Sequence, residues 1–226
     1  DPTQVTKDEI IGGYSISTHK TTGLELIDTV FPRFTKVPDL ILCPNWSHDP
    51  EVAAVMSAKA ENINGLFEAM AILDVDCTEE TGATYYTEVP EWKKKKNFTK
   101  KTEIVCFPKV ALGERKFNLS TQLASSISTV DNTESYGGGT PCESASNKPI
   151  QADRTIIADG SEIIMDIQQA NYLNENGVVT ALNFISGFTS WGNYTACYPA
   201  NNDVTDYFYC INRMFKWVGK TLILTY

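Results

Sequence analysis

The sequence predicts an α/β fold, a mainly parallel sheet flanked by helices. Three observations carry this. The apolar runs Leu40–Cys43, Ala69–Val75, Glu103–Phe107 and Val178–Phe184 have strand length and the near-continuous hydrophobicity of strands buried on both faces. Segments with helical apolar spacing separate them. The 226 residues, 42% hydrophobic and 21% charged, are enough to bury a sizeable core. No internal repeat is present, which sets a solenoid aside.

Residues 1–37 read as loops and short elements packed on the core, with a helix-like stretch over Gly23–Asp28. Residues 38–226 read as the α/β core domain. Leu40-Ile41-Leu42-Cys43 is the first clear strand, ended by Pro44-Asn45. Asp49 as N-cap and Pro50 at the first helical position then open a helix. Its Val52, Val55, Met56, Ala60 and Ile63 share one face. The Ala69–Val75 strand follows. A helix is expected over about Ala83–Asn97, shortened or kinked by Pro90. Strand Glu103–Phe107 stops at Pro108, and the next helix, about Ser120–Val130, places Leu123, Ile127 and Val130 together. Asn132–Ser161, with Gly137-Gly138-Gly139 and Pro141, reads as one long connection of the functional or mobile kind. Glu162–Asn174 reads as helix, closed by the Asn176-Gly177 C-cap signal. Strand Val178–Phe184 is followed by a turn or hairpin over Gly187–Asn193. The last element, Val204 to about Leu224, is a long helix with Tyr207, Phe208, Ile211, Phe215, Val218 and Leu222 on its apolar side.

A net charge of −9 and a pI near 4.8 argue against nucleic acid as a partner, because phosphate binding needs a basic footprint. The one basic run, Lys93-Lys94-Lys95-Lys96, reads as a solvated helix end. No apolar stretch has the length of a membrane span, and no signal-peptide pattern is seen. The chain opens Asp1-Pro2-Thr3 without Met and stops inside the apolar run Leu222–Tyr226, so a piece of a longer protein is expected. The six cysteines form no CxxC and no zinc spacing. Cys43, Cys77 and Cys106 sit at or near the ends of apolar runs, where Cys serves as a small buried hydrophobe, so free thiols of a reducing compartment are expected. The Asn-x-Ser/Thr triplets starting at Asn45, Asn97, Asn118 and Asn193 are read as chance.

One motif points to chemistry. Leu73-Asp74-Val75-Asp76-Cys77-Thr78 resembles the DxDxT nucleophile motif of haloacid-dehalogenase-type phosphohydrolases. That resemblance implies Asp74 as nucleophile, Asp76 as acid/base and a shared Mg²⁺, at a strand end where α/β sites form. The rest of the set is incomplete, since Asp159-Gly160-Ser161-Glu162 precedes a helix and does not follow a strand. The competing reading is a strand-to-helix turn whose carboxylates cap helix amides. His19 lies in an early loop. His48 lies between Ser47 and Asp49, and three adjacent residues point apart and cannot form a triad. There is no GxSxG and no Gly-Lys-Ser/Thr after Gly137-Gly138-Gly139-Thr140. No catalytic, cofactor-binding or metal-binding residue is assigned, and no cofactor is implied.

Two blocks carry a family resemblance. The first is Ile10-Ile11-Gly12-Gly13-Tyr14, Gly23-Leu24-Glu25-Leu26-Ile27, Phe31-Pro32-Arg33-Phe34 and Val37-Pro38-Asp39-Leu40-Ile41-Leu42-Cys43-Pro44. The second is Leu173-Asn174-Glu175-Asn176-Gly177-Val178-Val179-Thr180, Gly187 and Trp191-Gly192-Asn193-Tyr194-Thr195. Ser146-Asn147-Lys148 precedes it and Arg213-Met214-Phe215 follows it. Together they resemble contractile tail sheath proteins of myophages and of prophage or bacteriocin-like particles, from about Ile10 to Tyr226. The resemblance implies a subtilisin-like topology without protease function. It implies a structural subunit, not an enzyme, in a helical array of hexameric rings around an inner tube. Contraction of such an array drives the tube through a target envelope. The partners implied are other sheath subunits, the tube protein and the baseplate. The location implied is a virion or phage-tail-like particle assembled in a bacterial cytoplasm. Family chains carry linking arms at both ends. They are expected to be missing from this piece, which is then expected to be monomeric alone. Lys93, Lys94, Lys95 and Lys96 against Glu79 and Glu80 are the candidate interface charges, individually weak and repeated in a lattice.

Overall fold

The computed structural model describes residues 4–133, 139–141 and 143–226. Its N-terminal segment is more ordered than the sequence reading allowed. Thr6 and Glu9 form a reciprocal capping box that starts helix α1 (Lys7–Ile11). A hairpin of β1 (Gly13–Ser15) and β2 (Lys20–Thr22), a 3-10 helix (Gly23–Thr29) and α2 (Val30–Phe34) follow. Ile10, Ile11, Leu24, Ile27 and Phe31 pack on the core. Lys59 on the next helix holds Glu25 at 2.6 Å and Asp28 at 2.7 Å.

The main sheet has five strands. β3 (Leu40–Leu42), β4 (Met70–Asp74), β5 (Glu103–Cys106) and β9 (Val178–Asn183) run parallel, and β10 (Phe188–Trp191) is antiparallel to β9. The spatial order is β10-β9-β5-β4-β3. Of the turn or hairpin expected at Gly187–Asn193, the hairpin is what forms, with β10 as its second strand. Alternation along β4 sorts its side chains onto two faces. Ala71 and Leu73 join the cluster formed with α3 (Pro50–Glu61), α4 (Val89–Lys95) and α6 (Ile167–Asn174), which includes Val52, Met56, Val89, Trp92 and Leu173. Met70 and Ile72 join the cluster formed with α5 (Leu119–Asp131), which includes Leu123 and Ile127. Both faces are covered, as parallel strands require.

Asp49 caps α3 as expected, accepting from the backbone N–H of Glu51 and Val52, with Pro50 in the first turn. Two helices are shorter than the sequence reading. α4 begins at Val89, and Pro90 lies in its first turn, where the missing N–H is harmless and the ring starts the helix without kinking it. α6 begins at Ile167, because Asp166 and Gln169 form a capping box there. Its far end closes on Gly177 at φ 68°.

A second sheet was not expected. β6 (Lys109–Leu112) and β7 (Arg115–Phe117) form a hairpin through Gly113-Glu114, with Gly113 at φ 59°. β8 (Arg154–Ile156) pairs with the other edge of β6. The segment read as one connection over Asn132–Ser161 thus contains a strand, while its Gly137-Gly138 lies outside the described residues.

The C-terminal helix is broken at Phe208 into α7 (Val204–Tyr207) and α8 (Tyr209–Thr225). Among the described residues, Cys43, Cys77, Cys106, Cys197 and Cys210 are free thiols. No helix among those residues is long and apolar enough to cross a membrane.

Candidate functional site

The strand-end aspartates were the sharpest chemical candidate. β4 delivers Asp74 to the α5 side of the sheet, third in the row after Met70 and Ile72. There it lies against the N-terminus of α5. Its carboxylate accepts from the Ser120 backbone N–H at 3.0 Å, the Ser120 hydroxyl at 2.6 Å and the Ser47 hydroxyl at 2.9 Å. Asn118, the N-cap residue of α5, gives its own helix no side-chain bond. Asp74 supplies that bond from another element, and the helix dipole favours its charge. Asn118 instead accepts from the Lys109 ammonium at 2.6 Å. Asp74 is 6% exposed. Burial pushes its carboxyl above the usual range, and the Ser120 and Ser47 donors pull it part of the way back.

Asp76 does different work. Partial burial acts to raise its carboxyl, but the Thr81 hydroxyl at 2.6 Å and the Thr78 backbone N–H at 3.0 Å outweigh that and hold it below the usual range. It braces the turn that follows β4. A nucleophile needs a face open to substrate, and Asp74 has none. The phosphohydrolase role for Asp74 and Asp76 is set aside on that geometry. The capping reading holds, with a correction: the helix capped is α5, not the next in sequence. Among the described residues, no group of three or more His, Cys, Asp or Glu side chains is arranged to hold a metal ion. His48 sits in the turn leading into α3. His19 lies in the β1–β2 loop, with its Nδ1 3.0 Å from the Tyr14 hydroxyl. Burial pushes the Cys77 thiol up to about 12, far from a reactive thiolate.

The lysine run divides. Lys94 and Lys95 are exposed, and Lys96 lies over the Trp92 ring at 5.8 Å. Glu79 and Glu80 are exposed. Lys93 is not a surface charge, which corrects the solvated reading of the whole run. α4 turns it inward, where its ammonium donates to the carbonyls of Asn176 at 2.6 Å, Ala196 at 2.9 Å and Tyr198 at 3.3 Å. Desolvation lowers it to about 8.

Lys93 thereby ties together the segment that carried the second block of resemblance. A side chain at Gly177 would meet the Thr195 and Tyr198 carbonyls at 2.6 Å and the Lys93 ammonium at 2.8 Å, so only glycine fits. Asn174 accepts from the Asn193 backbone N–H at 3.1 Å. Thr195 donates to the Asp206 carbonyl at 3.0 Å. The block is a lock between the α6–β9 turn, the loop after β10 and α7. Its residues are structural, and none converges on an open pocket.

Among the described residues, α8 carries several exposed large apolar side chains. Its first turn buries Tyr209 in the apolar cluster around α5, and beyond it Asn212 and Arg213 face inward, where Arg213 makes a two-pronged pair with Asp131 of α5, at 3.1 and 2.5 Å. Lys216 holds Glu68 at 2.6 Å, and Lys220 pairs with Asp39. Its apolar side faces out, with Phe215 55%, Val218 40% and Leu222 55% exposed. The apolar side read from the sequence is therefore largely turned to solvent beyond the first turn, because the polar anchors take the inner face there. A groove of about 380 Å³ runs beside it, with Leu66, Phe67, Asn212, Phe215 and Ile223 in its walls.

No protein-family model and no curated protein matches the chain. Solved structures do match in fold. A chain of the PVC sheath complex, an extracellular contractile injection system in its contracted state, superposes with a TM-score of 0.62 at 15% identity. That match covers 90% of this chain and 51% of that one. The contracted helical sheath of the anti-feeding prophage gives 0.57 at 14% identity, over 88% of this chain and 50% of that one. The sheath tail protein of Desulfitobacterium hafniense gives 0.55 at 10% identity, over 89% and 41%. The chain therefore spans about half the length of these solved chains, or less, and its mixed α/β fold, built on a mainly parallel five-stranded sheet, is similar to theirs.

Proposed function

We propose that this chain is the core of a contractile tail sheath subunit, a structural and mechanical protein. The observation that carries the reading is the fold likeness to sheath chains over about nine-tenths of its length. Two features of the molecule support it. Asp74 is enclosed as the cap of α5, and α8 presents an outward face of exposed apolar side chains. In this reading copies of the subunit form hexameric rings stacked around an inner tube, with the baseplate at one end. Contraction converts one arrangement of nearly rigid subunits into another, and the work comes from the difference in interface free energy. A subtilisin-like topology, a division into residues 1–37 and 38–226, and assembly in a bacterial cytoplasm belong to the same proposal.

Lys94, Lys95 and Lys96 against Glu79 and Glu80 of neighbouring subunits are the proposed charge contacts, with Lys93 excluded by its burial. Each exposed pair is worth about 0–1 kcal/mol, and the array multiplies it. Electron microscopy of the natural gene product tests the function: striated cylinders are expected, and dispersed single particles under all conditions contradict it. Reversing Lys94 and Lys95 to Glu tests the charges, because cylinders are then expected to become salt-sensitive or shorter, with recovery when Glu79 and Glu80 become Lys.

A further inference from the structure

We infer that the tip of the β9–β10 hairpin of one copy of this chain enters the groove beside α8 of the next copy, head to tail. The inference rests on the assembly reading for the identity of the partner and deepens it by naming the two surfaces that meet.

The tip is a rigid apolar knob. β9 ends at Asn183 and β10 begins at Phe188. Between them Phe184 packs on Trp191, ring centroids 5.4 Å apart, and its backbone N–H donates to the Gly187 carbonyl at 2.9 Å, so the turn is held in one shape. Ile185 at the apex is 93% exposed and sits at φ 51°. Asn, Asp or Gly takes that backbone easily, and a β-branched side chain is strained there. The turn therefore accepts strain to hold an apolar side chain out in water, an outlier that points to a contact outside the chain.

The groove answers the tip in three respects. Its apolar walls, Leu66, Phe67, Phe215 and Ile223, suit Ile185. Asn212, also in its wall, has a side-chain oxygen without a hydrogen-bond partner, and the exposed Ser186 beside Ile185 brings a hydroxyl donor. Lys101, Lys216 and Lys220 line the groove against Glu68 and Asp206, while the hollows beside the tip hold Asp153, Glu162 and Asp166 and, among the described residues, no cation. An acid-flanked tip thus meets a groove richer in ammonium groups. Each exposed pair is worth about 0–1 kcal/mol, so charge orients the approach more than it strengthens the contact.

Position supplies the direction. Leu66, Phe67 and Lys101 lie just before β4 and β5, and the tip lies just after β9, which runs parallel to them. Groove and tip therefore sit at opposite ends of the sheet. A contact between two different surfaces leaves one of each free and can repeat into an open file, which a stacked array requires. One hairpin tip covers less than the roughly 800 Å² per partner of a standard stable interface. In the free chain the contact is weak and concentration-dependent, and it replaces the sequence expectation of a simple monomer.

Sedimentation velocity of the purified chain from low micromolar to several hundred micromolar tests the proposal. The mean mass is expected to climb above 25.1 kDa with concentration. Ile185→Asn, which relieves the turn, is expected to withstand at least as much urea as the parent and yet stay at 25.1 kDa. Leu66→Glu is expected to stay there too, with unchanged far-ultraviolet circular dichroism. The discriminating sample is the two variants mixed. One keeps its groove and the other its tip, so a one-to-one dimer is expected, and nothing larger. A photo-cross-linker at position 185 is expected to trap residues 66–68 or α8 of a second chain. A parent that stays monomeric throughout, association that survives Ile185→Asn, a mixture that forms no dimer, or cross-links confined to one chain overturns the proposal, even if the gene product forms cylinders. The mixed dimer from a protein that never forms cylinders upholds it and removes the sheath reading instead.

Discussion

Helices α3 and α8 both dock on the body of the molecule, and they are held there mainly by different kinds of contact. α3 turns Val52, Ala53, Met56 and Ala60 onto the sheet and leaves Glu51 and Ala54 to water. α8 buries Tyr209 in its first turn, turns Asn212 and Arg213 inward beyond it, and leaves Phe215, Val218 and Leu222 exposed. The difference lies in what each helix meets. α3 meets the apolar side chains of β3 and β4. α8 meets three carboxylates, Asp131, Glu68 and Asp39, each placed by a different element. A helix that docks by ion pairs keeps its apolar side free for something else.

This contrast can be broken at several points. The largest effect is expected at the α8 anchor. Asp131→Ala leaves the Arg213 guanidinium buried without its carboxylate and should destabilise the fold by about 3–5 kcal/mol, read from urea unfolding. A loss below about 1 kcal/mol would show that the guanidinium is not truly enclosed. Next is the α3 core, where Met56→Ala should cost about 2–5 kcal/mol through lost contacts and the cavity left behind.

Lys93→Met should cost about 1–3 kcal/mol by stranding the Asn176 and Ala196 carbonyls, and it carries a pH signature. Lys93 titrates near 8 when folded, below its ordinary value of 10.5. Between those values the unfolded chain binds the extra proton, so this residue makes stability rise with pH there. Lys7, Lys59 and Lys101 are shifted upward and oppose it. The informative quantity is therefore the parent-minus-variant difference, which should increase from pH 8 to 10.5. A flat difference would show that the ammonium is solvated. The smallest effect is expected on the outer side of α8: Phe215→Ser in dilute solution should stay within about 0.5 kcal/mol of the parent. A loss comparable to Met56→Ala would mean that this side is already packed.

The sequence made the central sheet legible for a physical reason. Strands buried on both faces need unbroken apolar runs, and Met70–Leu73 and Ile104–Cys106 stand out from any background. Asp49-Pro50 likewise states where α3 begins. The missed starts had local signals: Thr6 with Glu9, Asp166 with Gln169, and Pro90 at the head of α4 rather than inside it. The small antiparallel sheet had almost none, because Arg115-Lys116-Phe117 and Arg154-Thr155-Ile156 are short and mostly polar. Only Gly113-Glu114 marked its turn. The roles of Lys93 and Arg213 were invisible for a different reason. Their partners lie far along the chain, at 176–198 and 131, and no spacing within a helix reports a contact of that range. For Asp74 the residue type and the strand end were read correctly, but the choice between capping and chemistry depended on Ser47 and Ser120.

In the proposed function this molecule acts through surfaces offered to other copies, with Asp74 closed inside as structure. A cryo-electron microscopy map of the assembled gene product tests it most directly. A helical lattice is expected in which Phe215, Val218 and Leu222 are covered and Asp74 stays enclosed between Ser47 and Ser120. A map with the outer side of α8 bare to solvent in every subunit, or an unassembled protein that hydrolyses a phosphate ester only while Asp74 is intact, would contradict it.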